Sequence, residues 1–260
     1  MKQLIGTSTE LSRNGFARYD LGESFQLSDE DANLQALRVE CEDLPIDPYA
    51  PAAGRRRRYG RGVLLPWQRE FSWLPPVPVQ DGRSYRNSYY QGGHNPEYVG
   101  VSRDLMPLTE GIRDNALLRR VIMFDFDQTW WTPEDSTWPL HVGVHVIKLS
   151  VDQAGALAVS SPPTLHQDGE PFTFAHLLVR RNAEGGTNVI ASPGCRGMDP
   201  ANVPAELILS RFELTRPLES YGVADEMVSH YVGPVGKGPG VEPGERVVLL
   251  VDFTPMRRRV

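Results

Sequence analysis

From Leu140 onward the chain is patterned as a succession of short strands, and this constrains its fold more than any other feature. Val142, Val144, Val146 and Leu149 sit around His141, His145 and Lys148, mostly with the two-residue period of a strand. The turn Asp152-Gln153-Ala154-Gly155 ends that run. Phe174 to Val179 is apolar, Asn182-Ala183-Glu184-Gly185-Gly186-Thr187 has hairpin-loop chemistry, and Asn188-Val189-Ile190-Ala191 returns. Arg211-Phe212-Glu213-Leu214 is a further strand. Val228 carries the chain to His230, and Arg246 to Phe253 reads as a buried closing strand after a Gly/Pro loop. Eight or so short strands, with helices mostly upstream, predict a mainly β double-sheet jelly roll: a double-stranded β-helix, cupin-like, with flanking helices. Its open mouth can hold a metal and a small ligand.

The upstream third is mixed. Gly15 to Leu21 alternates like a short strand, and Ser28-Asp29-Glu30-Asp31 caps a helix from Ala32 to Cys41. Leu34, Leu37 and Cys41 place one face of that helix on a sheet. At 260 residues a single domain is expected, with residues 1–54 an extension packed on the core. Arg55-Arg56-Arg57-Arg58-Tyr59-Gly60-Arg61 reads as a solvated surface segment leading into the strand Val63 to Trp67. Another reading sends one of these arginines into the active site. Ser88-Tyr89-Tyr90-Gln91 is an aromatic strand entering the loop Gly92-Gly93-His94-Asn95-Pro96, and Tyr98 leads on to Arg103. Helical periodicity spans Glu110 to Arg120, and Trp130-Trp131 reads as packing aromatics or a lid.

Composition narrows the partners. Hydrophobic residues at 40% and charged residues at 23% are ordinary for a soluble protein, and no apolar run is long enough to span a bilayer. Met1 to Gly6 lacks a secretory core, and Cys41 and Cys195 are too few for a disulfide framework, so a cytoplasmic home is expected. A net charge of −6 argues against nucleic acid as a partner. The sequence leaves the oligomeric state open and admits a homodimer.

His166-Gln167-Asp168 is the stretch with metal chemistry. On a strand, i and i+2 project to one side, so His166 and Asp168 can reach one ion while Gln167 turns away. His230 is the third candidate, ahead of His145 and of His176, whose apolar strand suits a satisfied core histidine. Two imidazoles and one carboxylate on one face of an ion form the set used by non-haem Fe(II) oxygenases.

With these residues in place, the chain from about Arg55 to Phe253 resembles the Fe(II)/2-oxoglutarate-dependent dioxygenases, within them the bacterial amino-acid hydroxylase group that includes isoleucine dioxygenase. The resemblance rests on five segments in order: Arg58-Tyr59-Gly60 with Tyr90-Gln91; Val101 to Leu108 around Arg103; Val144 to Lys148; His166-Gln167-Asp168-Gly169 with Asn182 and Gly185-Gly186; and His230 with Arg246. Pro163-Thr164-Leu165, His230-Tyr231 and Val248 depart from the usual pattern, and Val248 leaves the second partner of the cosubstrate's distal carboxylate unassigned.

The resemblance implies catalytic iron held by His166, Asp168 and His230, with 2-oxoglutarate and O2 as cosubstrates. Arg246 and Gln91 would serve the cosubstrate, and Arg103 and Tyr90 the substrate. Halogenases of this kind lack the carboxylate at the Asp168 position, so its presence implies hydroxylation of an unactivated C–H bond in a free or N-modified amino acid, with succinate as coproduct. The alternatives are the same chemistry on a peptide or larger natural product (hydroxylation, desaturation or cyclisation), or a jelly-roll metal protein that is no oxygenase. Asn182, Gly185 and Gly186 read as turn residues.

Overall fold

The computed structural model describes residues 9–79, 84–94, 99–160 and 162–257. The readings of Met1 to Gly6 and of Asn95, Pro96 and Tyr98 lie outside them. A seven-stranded antiparallel sheet organises the rest, in the order Phe16–Asp20, Glu219–Ala224, Phe172–Arg181, Gly244–Pro255, Leu140–Val151, Arg55–Leu65 and Glu70–Trp73. Across from it lies a smaller sheet of Ile208–Phe212, Asn188–Ala191 and Ser229–Val232, continued by a bridge from His230 to His166. Two antiparallel sheets enclosing a cavity form the jelly roll, and the segment before Arg55 supplies its edge strand Phe16–Asp20.

The faces of the large sheet divide by residue parity. On the closing strand Gly244–Pro255, Val247, Leu249, Val251 and Phe253 join the apolar core under the helices. Arg246, Val248, Leu250 and Asp252 face the cavity. The helices Ala32–Glu40 and Ala116–Gln128 contribute Leu34, Leu37, Leu118 and Ile122 to that outer core. The first starts at Asp31, whose carboxylate accepts from the amides of Asn33 and Leu34. The second differs from the expected Glu110–Arg120 helix. The chain breaks after Glu110–Arg113, Asn115 caps a new helix, and that helix runs on to Gln128.

The arginine run is the main correction. Arg55 to Leu65 is one continuous strand rather than a solvated segment, pairing with Leu140–Val151 along its length. Alternation buries Arg55 and Arg57 on the cavity side, while Arg56 and Arg58 reach the carbonyls of Leu44 and Pro107 at 2.8 Å. Trp130 and Trp131 pack edge-on against Phe172, with centroids 4.6 and 5.1 Å away.

His176 is a core histidine. Its ring lies between Ser220 Oγ (2.8 Å) and Asp125 Oδ2 (2.9 Å), tying the helix Ala116–Gln128 to two strands. Asp125→Ala strands that buried imidazole and should cost about 1–3 kcal/mol of stability. Urea denaturation checks this, and an unchanged midpoint would remove the pair from any role in docking the helix.

Candidate active site

Three metal-type side chains share the wall opposite the closing strand. His166 and His230 are directly opposed in an antiparallel bridge, each amide donating to the other's carbonyl at 2.9 Å. Opposed residues project to the same side, and the two ring centroids are 4.4 Å apart. The expected strand through His166 and Asp168 is a single bridge residue, followed by a turn at Gly169 with φ +89°. Asp225 holds that turn by accepting from the amides of Asp168 (2.7 Å) and Gly169 (2.8 Å). Gln167 turns away and donates to the carbonyls of Asp225 and Val228. The carboxylate of Asp168 then reaches both rings, 3.2 Å from His230 Nε2 and 3.7 Å from His166 Nε2. One donor atom from each of the three lies within 4.8 Å of the others.

The protonation pattern suits a cation. Burial, reinforced by His230, pushes the His166 imidazole down to about 4. His166 Nδ1 lies 3.1 Å from the Thr164 carbonyl, so Nδ1 carries the proton and Nε2 presents its lone pair. Burial acts to lower His230 as well, but the adjacent Asp168 outweighs it and raises that ring. Burial would also raise Asp168, yet His230 and His166 hold its carboxyl well below the usual range. The pocket thus favours positive charge beside the Asp168 carboxylate, an environment that suits a bound metal ion. Two imidazoles and one carboxylate on one side of an open cavity are a donor set that suits Fe(II).

Arg246 provides the second fixed point. It is 2% exposed and has no carboxylate at ion-pair distance among the described residues, and its Nε has no partner. Burial pushes the guanidinium down to about 10. A buried planar cation of this kind suits an incoming carboxylate. Tyr221, buried on Glu219–Ala224, lines the same cavity and interacts electrostatically with Arg246. It is a candidate second partner where Val248 offers none.

Gly186 holds a positive φ of +72°, and a Cβ there would sit 3.1 Å from Arg246 Cδ. Gly186→Ala should therefore cost about 1–2 kcal/mol through the left-handed backbone and displace Arg246. A lower melting temperature alongside weaker binding of a carboxylate ligand at Arg246 is the expected result. Unaltered carboxylate binding would show that Arg246 tolerates the intrusion.

The other expected residues divide. Gln91 lies between Asp168 and Arg103, donating to Asp168 Oδ1 at 3.4 Å and accepting from Arg103 Nη2 at 2.6 Å. Arg103 is buried against the ring of Tyr89, 4.7 Å from its centroid, and lines the cavity. Tyr90 is 55% exposed and does not line that cavity, because strand alternation turns Tyr89 inward in its place.

The reading that sends an arginine of the run into the site matches Arg57, which lines the cavity beside Tyr89, but sequence reasoning passed over the polar group around it. Arg57 Nη2 donates to His145 Nδ1 at 2.7 Å, which leaves the proton of the neutral imidazole on Nε2, 3.5 Å from Asp252 Oδ2. Tyr89 donates to Glu170 Oε1 at 3.1 Å. Burial, with Asp168 adding repulsion, pushes Asp252 up to about 7, and burial and Asp252 raise Glu170 well above its usual range. The signal was present: Asp252 has the parity of Arg246, and Arg57 lies two residues from Arg55.

The family model described as 2OG-Fe dioxygenase matches residues 39–252. The chain belongs to the 2OG-Fe dioxygenase family. As a 2OG-Fe dioxygenase it is an oxidoreductase that uses Fe(II), 2-oxoglutarate and O2. Among curated relatives it is similar to 3(1)-hydroxy-L-isoleucine 4-dioxygenase of Pantoea ananatis (strain AJ13355), 26% identical over 95% of this chain and 94% of that one. L-isoleucine-4-hydroxylase of Bacillus thuringiensis is 31% identical over 65% of each chain. Two solved structures share the fold of this 2OG-Fe dioxygenase. IDO from Bacillus thuringiensis has a TM-score of 0.72 at 23% identity, covering 95% of this chain and 93% of that one. The Fe(II)/α-ketoglutarate-dependent dioxygenase TqaL has a TM-score of 0.71 at 15% identity, covering 96% and 86%.

Proposed function

We propose that this dioxygenase hydroxylates an unactivated C–H bond of a free or N-modified amino acid. One oxygen atom enters the product, and 2-oxoglutarate loses CO2 to become succinate. The observation that carries the reading is the pairing, in one cavity, of the His166–Asp168–His230 group with the buried cation of Arg246, which has no carboxylate at ion-pair distance among the described residues. The two curated relatives, both named for isoleucine chemistry, supply the substrate class.

In this reading His166 Nε2, an Asp168 oxygen and His230 Nε2 would hold Fe(II), which would supply the oxidising power for C–H cleavage. Asp168 would supply a carboxylate ligand to that metal, which favours hydroxylation over halogenation. Gln91 braces that carboxylate. Arg246, with Tyr221 beside it, receives the distal carboxylate of 2-oxoglutarate and fixes its direction. The reading includes a cytoplasmic location, supported by two free, buried cysteines, and leaves room for a homodimer. No described helix is long and apolar enough to cross a membrane. The net charge of −6 supports action without a nucleic-acid partner.

The test is incubation with Fe(II), 2-oxoglutarate and air over a panel of free and N-modified amino acids, read by mass spectrometry. A product one oxygen atom heavier, formed in step with succinate, is expected. Turnover confined to peptides or larger natural products would contradict the substrate class, and a product two hydrogens lighter would contradict hydroxylation.

A further inference from the structure

The end of the cavity away from Arg246 holds charged groups that the iron and cosubstrate leave unused. Arg246 and Asp252 are six residues apart on one strand face, roughly 20 Å along the strand, so Asp252 lies remote from the cosubstrate cation. Its carboxylate is built in rather than incidental. It stands directly across from Gly143, in space that any Cβ there would fill, and takes a hydrogen bond from the Gly143 amide.

Glu170 faces the same space. It is 8% exposed, and Tyr89 occupies Oε1 while Oε2 is buried with no partner. On the cationic side, Arg57 is 6% exposed, lies 5.2 Å from the Tyr89 centroid and has an unpartnered Nε. Arg57 has no carboxylate at ion-pair distance among the described residues, although Asp252 and Glu170 line the same cavity. Two buried acids and a buried guanidinium that do not pair with one another leave polar atoms unsatisfied, a costly arrangement unless a ligand completes it.

We propose that this end of the cavity is a zwitterion subsite, in which Glu170 and Asp252 bind the substrate's free α-ammonium and Arg57, beside Arg103, binds its α-carboxylate. An ammonium supplies the donors that Glu170 Oε2 and Asp252 accept, and a carboxylate supplies the acceptor for the Arg57 fork. The substrate is then a free α-amino acid, because acylation removes the charge and two of the donors. This deepens the amino-acid reading and rests on it. Arg57 then shares the role that sequence reasoning assigned to Arg103 alone, each guanidinium keeping one Nη2 on a fixed neighbour, His145 for Arg57 and Gln91 for Arg103.

The test compares L-isoleucine, L-leucine and L-valine with their N-acetyl and deaminated counterparts. Binding to the protein loaded with Mn(II) and 2-oxoglutarate is measured by calorimetry, and succinate formation is measured with Fe(II). At least one free amino acid should bind, with both counterparts weaker by about 30-fold or more. Glu170→Gln and Asp252→Asn should weaken the free amino acid by a similar factor and narrow its advantage over the N-acetyl form. The wild-type analogue series decides the matter even if a variant folds poorly. An N-acetyl or deaminated analogue that binds as tightly as its parent would overturn the subsite and leave amino-acid hydroxylation standing. Binding and succinate from no member of the panel in any form would overturn the amino-acid reading and the subsite with it.

Discussion

Replacing Asp168 by alanine is expected to abolish substrate-dependent succinate formation and to strip the protein of tightly held iron. Asp168 is the only anion among the three donors, and its oxygens lie 3.2 and 3.7 Å from the two imidazoles it joins. Without it, two neutral rings face the metal and the electrostatic attraction that holds a dication is gone. Loss of partners outside the coordination sphere already costs roughly 10–100-fold in affinity or activity, so loss of a ligand should exceed that range. His166→Ala should behave alike. Metal content after dialysis, read beside succinate production, checks both. An Asp168→Ala protein that retains iron and turns over at a wild-type rate would remove this carboxylate from the centre.

The second large effect belongs to Arg246. Arg246→Ala should raise the KM for 2-oxoglutarate by roughly 30-fold or more, the range for truncating one side of a buried charged pair. The effect on kcat at saturating cosubstrate should be smaller, because the role proposed for this guanidinium is to bind and orient rather than to react. Arg246→Lys should recover only part of the affinity, since a point charge replaces a planar fork. The readout is the split between KM and kcat, and an unchanged KM would contradict the assignment. The subsite prediction is separable. Variants at Glu170 and Asp252 should act on amino-acid binding, whereas Arg246 variants should act on the cosubstrate.

Much of this was legible in the sequence, and the reasons differ by element. The closing strand announced itself, since a run of Val and Leu interrupted by Arg246 leaves little doubt about which residue a β face turns inward. The helix at Ala32–Glu40 was marked by Asp31 and by apolar spacing, both local signals. Tertiary context settled the rest. Four consecutive arginines read as surface because charge is expensive to bury. Arg55 is tolerated inside because Asp47 pairs with it at 2.8 Å, and Arg57 faces a cavity rather than a packed core.

The choice between Tyr89 and Tyr90 turned on strand register, where a slip of one residue inverts every side chain. Glu170 was hidden by Gly169, whose left-handed backbone breaks the alternation on which the His-x-Asp reading relied. The convergence of His166 with His230 joins residues 64 positions apart through one bridge, and spacing along the chain carries no trace of it.

The most direct test of the central claim is anomalous diffraction from crystals grown without oxygen in the presence of Fe(II) and 2-oxoglutarate. A single iron peak is predicted within bonding distance of His166 Nε2, an Asp168 oxygen and His230 Nε2, with the distal carboxylate of 2-oxoglutarate on Arg246. An iron peak elsewhere, or a His230 ring turned away from the peak, would contradict it.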